Sequence, residues 1–417
     1  MEISPELGGL ILLLCISSYA TIASRLQSSI ITAPIVFLGI GYAFSYFGFF
    51  SSLHMEETVH LVAEIALVIL LFLDASQINL KRLKYQNAWP LRMLLVGLPL
   101  CIVIGTGVGL LFFPDWPWVF VALVASVLAP TDAALGDAVI QNKSVPINIR
   151  QTLVVESGLN DGVALPIILF FATLLSATVS QSVSSLEWAY LAGAQILIGL
   201  LVGVFNGLIA AKVFLYNESK GYDSNVFEGI GVLALTGSTY LLATLMGGNG
   251  FVAAFIAGLV FGNNVKGHCR FIYQFTESEG QLLVWIAFTI IGLGLLPEAI
   301  AHLSWEVAGY ILVSLFVVRP LAIYVSLLGT KANMPLSSKL FLGWFGPRGL
   351  ATALFALIVS KDLMSEYAHS LLVVAVNAVW ISALLHGMSA APLGKWFGAY
   401  MRDKKIKRRM QRLNKSQ

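Results

Sequence analysis

The chain has 417 residues, of which 58% are hydrophobic and only 11% charged, with a mean hydropathy of +0.83 and a formal net charge of +3. Soluble domains carry roughly 25% charged residues, so a soluble enzyme or nucleic-acid-binding domain is excluded and a polytopic helical membrane protein is indicated. The three cysteines, Cys15, Cys101 and Cys269, stand far apart in or near apolar runs, with neither disulfide nor metal spacing, and read as small core residues.

Thirteen apolar runs follow one another, near 7–24, 30–50, 58–79, 89–113, 118–141, 150–176, 187–211, 225–246, 249–263, 281–297, 305–328, 337–360 and 368–394. The start, "MEISPELGGL", lacks a basic leader segment, so the first run is expected to be a retained span. Basic residues sort by side: Arg25, Lys81, Arg82, Lys84, Lys143, Arg150, Lys212, Lys220, Lys266, Arg270, Lys331 and Lys339 all follow odd-numbered spans. The tail after the last span adds nine more, and the opposite loops hold only Lys361. By the positive-inside rule the N-terminus is outside and the C-terminus cytoplasmic, in a plasma or inner membrane. The basic tail, 395–417, reads as a topology anchor against anionic lipid and not as a nucleic-acid patch. At this length it is too short for a regulatory domain.

Span five contains "LAPTDAALGDAV", in which Pro130 removes a backbone donor next to Thr131 and Asp132; Asp137 lines the cytoplasmic approach or sits in hydrated space. Span six contains "VVESGLNDGVALP". At about 1.5 Å per residue, Asp161 lies about 16 Å from the cytoplasmic end of that helix, near the midplane, and Glu156 about 9 Å. "GGNGFVAAFIAG" (247–258) has neither strand nor βαβ context, so it reads as close helix packing and not as a nucleotide loop. Span eleven carries Arg319 about 9 Å above the inner face, the depth of Glu156, and the two are expected to pair. Span twelve is interrupted at "GWFGPRGLATAL", with Gly346, Pro347, Arg348 and Gly349. Spans five and twelve run in opposite directions, so their paired interruptions point to a transporter built from inverted repeats. At such breaks Asp132 can offset the positive helix N-termini and Arg348 the negative C-termini.

Asp161 is left as a mid-membrane carboxylate beside Asn160, which cannot titrate, with Ser157 one turn earlier on the same face. It can hold a proton or a monovalent cation, with Asn160, Ser157 and nearby carbonyls as further oxygen ligands. The alternative is a protonated, hydrogen-bonded Asp that only packs.

Together, "PTDAAL", "ESGLND", "VVRP" and "FGPRGLATAL" resemble the NhaP-type sodium/proton antiporters of the monovalent cation:proton antiporter superfamily, over nearly the whole chain. The resemblance implies an all-α NhaA-like antiporter fold: thirteen transmembrane helices in two inverted repeats with two discontinuous crossing helices. It also implies a homodimer, with a core bundle near 89–176 and 305–394 moving against a dimerisation part near 7–79 and 187–297. By that resemblance Asp161 matches the ion- and proton-binding carboxylate, and Asn160, Ser157, Thr131 and Asp132 its neighbours. Glu156 matches the acid paired with Arg319. Ala133 stands where the family often has Pro, and the long cytoplasmic tails of many relatives are absent.

The expected activity is exchange of Na⁺, or Li⁺, for H⁺, one for one and electroneutral, with no cofactor and no enzymatic step. A K⁺/H⁺ antiporter or potassium-efflux system on the same scaffold is the first alternative, and a sodium-coupled symporter for organic anions the second. An intramembrane protease would use Asp132 and Asp161 as its two acids, a reading opposed by the broken helices and the thirteen-span plan.

Overall fold

The computed structural model describes residues 5–26, 31–49, 55–80, 89–180, 185–222, 225–265, 279–329 and 334–413. No strand occurs among them. The helices are α1 (Pro5–Leu26), α2 (Ala33–Tyr46), α3 (Met55–Gln77), α4 (Trp89–Phe112), α5 (Trp118–Val127), α6 (Ala133–Ile140), α7 (Ile147–Ser180) and α8 (Ser185–Ser219). They continue as α9 (Asn225–Leu245), α10 (Gly250–Asn264), α11 (Glu279–Gly294), α12 (Leu296–Ala301), α13 (Trp305–Ser326), α14 (Leu336–Trp344), α15 (Leu350–Ser360) and α16 (Ser365–Leu413). Eight are long and apolar enough to cross a membrane, and five more are shorter apolar helices; every predicted run overlaps one of these thirteen.

The predicted single spans five and twelve are each two helices. α5 and α6 are separated by non-helical residues 128–132, and α14 and α15 by 345–349. Pro130 and Pro347 explain where the helices stop, since neither can donate a backbone hydrogen bond. Ala133 is the first residue of α6, a position where the family's Pro would also fit because the missing donor has no helical partner there.

The helix preceding each broken pair repeats one feature. α4 has a π-helical turn at Met93–Gly97 followed by Pro99, and α13 has one at Ser314–Val318 followed by Pro320. In each case the residue just before the proline donates to the first carbonyl of the turn, Leu98 to Met93 and Arg319 to Ser314. A wider turn relieves the clash between a proline ring and the preceding turn. The two halves thus share a local conformation as well as a topology. Arg92, at the head of α4, donates to Ser326 O and Leu328 O at 2.7 Å each, satisfying the carbonyls that end α13.

Other ends are capped conventionally. Asn249 Oδ1 accepts from Val252 N at 3.0 Å at the start of α10, and Ser304 Oγ from Val307 N at 3.3 Å at the start of α13.

The expected close packing at 247–258 has a counterpart that the sequence reading passed over. Gly199, Gly203 and Gly207 form a stripe on α8, and a Cβ at each would meet the backbone oxygen of Asn249, Ala253 or Ala257. α8 and α10 therefore pack backbone against backbone, as small-residue stripes permit between membrane helices. On its other side α10 meets α3, with Gly258 against Phe72 O and Gly262 against Ser76 O. Tyr240 Oη donates to Glu64 Oε1 at 2.5 Å, and Lys361 Nζ lies 3.8 Å from Glu64 Oε2, joining α9, α3 and the end of α15.

The helix of the last predicted span does not stop near 394. α16 runs on to Leu413, 49 residues in all, and Phe397 is buried in a 4.0 Å stack on Phe341. Phe397 sits between Lys395 and Arg402, so a hydropathy window reads this segment as tail. Cys101 is buried and Cys15 half-buried, both as free thiols, while Cys269 lies outside the described residues. So do Lys81, Arg82, Lys84, Lys266, Arg270 and Lys331, much of the charge asymmetry, and the side chain of Asp137.

Candidate functional site

The two helix breaks cross and are hydrogen-bonded to one another. Asp132 N donates to Pro347 O at 2.9 Å, and Asp132 Oδ2 accepts from Leu350 N at 2.7 Å. Asp132 therefore stands at the N-terminus of α6 and caps the N-terminus of α15, which no side chain of its own half caps. Arg348 does the converse. Its Nη1 donates to Ala129 O and Pro130 O at 3.4 Å each and to Gly346 O at 3.1 Å, the carbonyls at the ends of α5 and α14. Two positive helix ends thus face a carboxylate and two negative ends a guanidinium.

Both glycines of "GPRG" are required by these charges. A Cβ on Gly349 would strike the Asp132 carboxylate, and one on Gly346 the Arg319 guanidinium. α16 braces the break from behind: Arg348 N donates to Ser382 Oγ at 2.7 Å, His386 Nε2 to Trp344 O at 2.9 Å, and Trp344 Nε1 to Ser389 Oγ at 3.1 Å.

Beside the crossing runs the first two-thirds of α7. Arg319 Nη2 donates to both oxygens of Glu156 at 3.1 Å, with both side chains buried. Thr131 Oγ1 donates to Glu156 Oε2 at 3.2 Å, and Asn160 Nδ2 reaches Thr131 Oγ1 at 2.5 Å and Glu156 Oε1 at 3.5 Å. Ser157 Oγ donates to Thr131 O at 2.7 Å. Glu156 is thereby surrounded by donors on both oxygens. That arrangement also sets the Asn160 amide: its NH₂ must face Glu156, which accepts only, and its oxygen points away.

Two oxygens are left over. Asp161 Oδ1 and Asn160 Oδ1 are buried and have no hydrogen-bond partner among the described residues. Further along α7, Pro166 cannot donate to the carbonyl of Gly162 one turn back. Gly162 itself lies under the ring of Phe255 from α10, in space a Cβ would fill.

Thr131, Glu156, Ser157, Asn160 and Arg319 therefore share one network, and Asp132 and Arg348 hold the crossing to which Thr131 belongs. Asp161 lies beside this network with one oxygen open. The sequence reading missed Asp74, on α3. It packs against the helix that carries Asp161, where a Cβ on Gly158 would meet Asp74 O at 3.9 Å. The signal was present, a lone carboxylate in "LLFLDASQI", but it lies near the end of an apolar run, where acids commonly mark a boundary. Ser382 and His386, which hold the second break, carried no signal beyond being polar residues in an apolar helix.

Most of the chain matches a known family. The family model for the transmembrane sodium/hydrogen exchangers matches residues 9–396. The K(+)/H(+) antiporter NhaP of Alkalimonas amylolytica is 27% identical over 384 residues, 90% of this chain and 64% of that protein. The chain thus spans under two thirds of the length of that relative. The Na(+)/H(+) antiporter NhaP of Pseudomonas aeruginosa is 26% identical over 78% of each chain. The solved sodium proton antiporter MjNhaP1 from Methanocaldococcus jannaschii, at pH 8, superposes with a TM-score of 0.76, covering 92% of this chain and 100% of that one at 18% identity, and so shares its fold. The chain belongs to the sodium/hydrogen exchanger family of transmembrane proteins.

Proposed function

We propose that this protein is a secondary antiporter that exchanges one monovalent cation, Na⁺ or Li⁺, for one proton, with Asp161 as the site both occupy in turn. The observation that carries the reading is the pair of unpartnered buried oxygens, Asp161 Oδ1 and Asn160 Oδ1, next to two crossed helix breaks. Buried polar atoms are almost always satisfied, and oxygens without donors are what a hard, weakly charged cation needs. Glu156 is unsuited to the exchange because Arg319, Thr131 and Asn160 already occupy it. Membership of the family, and relatives that are Na⁺/H⁺ and K⁺/H⁺ antiporters, support exchange of a monovalent cation for a proton.

The stoichiometry follows from charge. Asn160 does not titrate, so one carboxylate carries either one proton or one cation, and the loaded site has the same charge in both cases. Exchange is then electroneutral and driven by concentration gradients alone.

The core 89–176 and 305–394 carries the site between the two sides of the membrane, against 7–79 and 187–297, in a homodimer with the C-terminus cytoplasmic. A K⁺/H⁺ antiporter is the second reading, favoured by the potassium relative that aligns with 90% of this chain. Proton flux in proteoliposomes with Na⁺, Li⁺ and K⁺ side by side, with and without an imposed potential, tests both. Rates that do not change with potential are expected, with Na⁺ and Li⁺ ahead of K⁺. K⁺ ahead would select the second reading, and a potential-driven rate would overturn the one-for-one exchange.

A further inference from the structure

Away from the crossing, where α12 meets the first turns of α16, three metal-competent side chains converge. Glu298 and His302 stand one helical turn apart on α12 and its C-terminal cap, and His369 comes from α16. One ligand atom from each, a carboxylate oxygen and two imidazole nitrogens, all lie within 4.8 Å of one another. His302 Nδ1 is 3.3 Å from Glu298 Oε1, and the two imidazole rings meet edge to face with centroids 4.7 Å apart. We propose that Glu298, His302 and His369 form a binding site for a divalent transition metal of the zinc class, separate from the transport site.

The donor set selects the ion. Two imidazoles and one carboxylate suit zinc, nickel or copper and disfavour magnesium and calcium, which take oxygen ligands. Three protein ligands on an exposed surface leave a fourth position for water, a common tetrahedral arrangement for zinc. Bonds of about 2.0 Å place tetrahedral ligands roughly 3.3 Å apart, so the observed spacing closes by side-chain rotation alone. All three side chains are exposed, and His302, whose Nδ1 lies 3.1 Å from Glu298 O, can ligate through Nε2 or give up that contact.

The backbones behind them do not have to move. Asn377 Nδ2, two turns beyond His369 on α16, donates to Ala299 O at 2.6 Å, the carbonyl next to Glu298. The same amide donates to Val373 O at 2.8 Å, and Asn377 Oδ1 accepts from Trp380 Nε1 at 2.7 Å, which fixes its orientation. The buried Asn377 thus holds α12 in register with α16, and preorganised backbones are what a surface metal site requires. A bound metal would cross-link the connection between α11 and α13 to the last helix.

The test is a zinc titration of the full-length protein, with any affinity tag removed, against a chromophoric chelator, with Mg²⁺ as the control. Wild type, His302→Ala and His369→Ala are compared, and thermal melting in detergent shows that each exposed substitution leaves the fold intact. The expected result is one zinc per chain, weakened by about tenfold or more in either variant, and a melting point that zinc raises only in the wild type. Zinc bound equally by wild type and His369→Ala, or no stoichiometric zinc in the wild type, would overturn the proposal.

Discussion

Glu156 and Asp161 lie five residues apart on one helix, yet their surroundings give them opposite characters. Glu156 accepts from Arg319, Thr131 and Asn160, while Asp161 Oδ1 accepts from nothing among the described residues. Removing one partner of a buried ion pair strands the other, at a cost of about 3–5 kcal/mol. Glu156→Ala is therefore expected to lower the melting temperature sharply or abolish monodisperse protein in detergent, because the Arg319 guanidinium remains buried. A variant as stable as wild type would show that the pair is dispensable. The depth argument from 1.5 Å per residue foresaw this pair because both residues are interior to long helices, and the single π-helical turn before Arg319 changes the count little. Counting could not foresee that Ser157 would turn to the Thr131 carbonyl, since that depends on where the other half of the molecule brings its break.

At the scale of helices, the two breaks hold each other. α15 begins at Leu350 with no cap from its own segment, and Asp132 from the opposite half supplies one. Gly349 makes that approach possible. Gly349→Ala is expected to push Asp132 off the Leu350 amide and cost about 0.5–2 kcal/mol for the lost cap. The loss is read as a fall in melting temperature that Asp132→Ala reproduces, with the double variant no worse than either single. Additive losses would mean that the glycine and the acid act separately. The interruptions were readable from Pro130 and "GPRG", and so was their pairing in opposite directions. The π-helical turns before Pro99 and Pro320 were not, because a proline in an apolar run announces strain without saying whether the helix breaks, kinks or widens.

At the scale of the molecule, hydropathy located the thirteen apolar helices among the described residues because lipid leaves the backbone no other way to satisfy its hydrogen bonds. The method failed where burial and charge share a segment. Phe397 packs inside the bundle although basic residues surround it in the sequence, so α16 outruns the predicted span. Asp74 was overlooked for a related reason, since an acid at the end of an apolar run looks like a boundary until α3 is seen beside α7. The account as a whole rests on Asp161 being a ligand and not a strut. Asp161→Asn removes the charge and the titration but no hydrogen bond at Oδ1, so the fold should survive. The measurement is cation-dependent proton flux in proteoliposomes for Asp161→Asn against wild type, with melting temperatures taken in parallel. The account predicts an unchanged melting temperature and no exchange; exchange retained by the variant would contradict it.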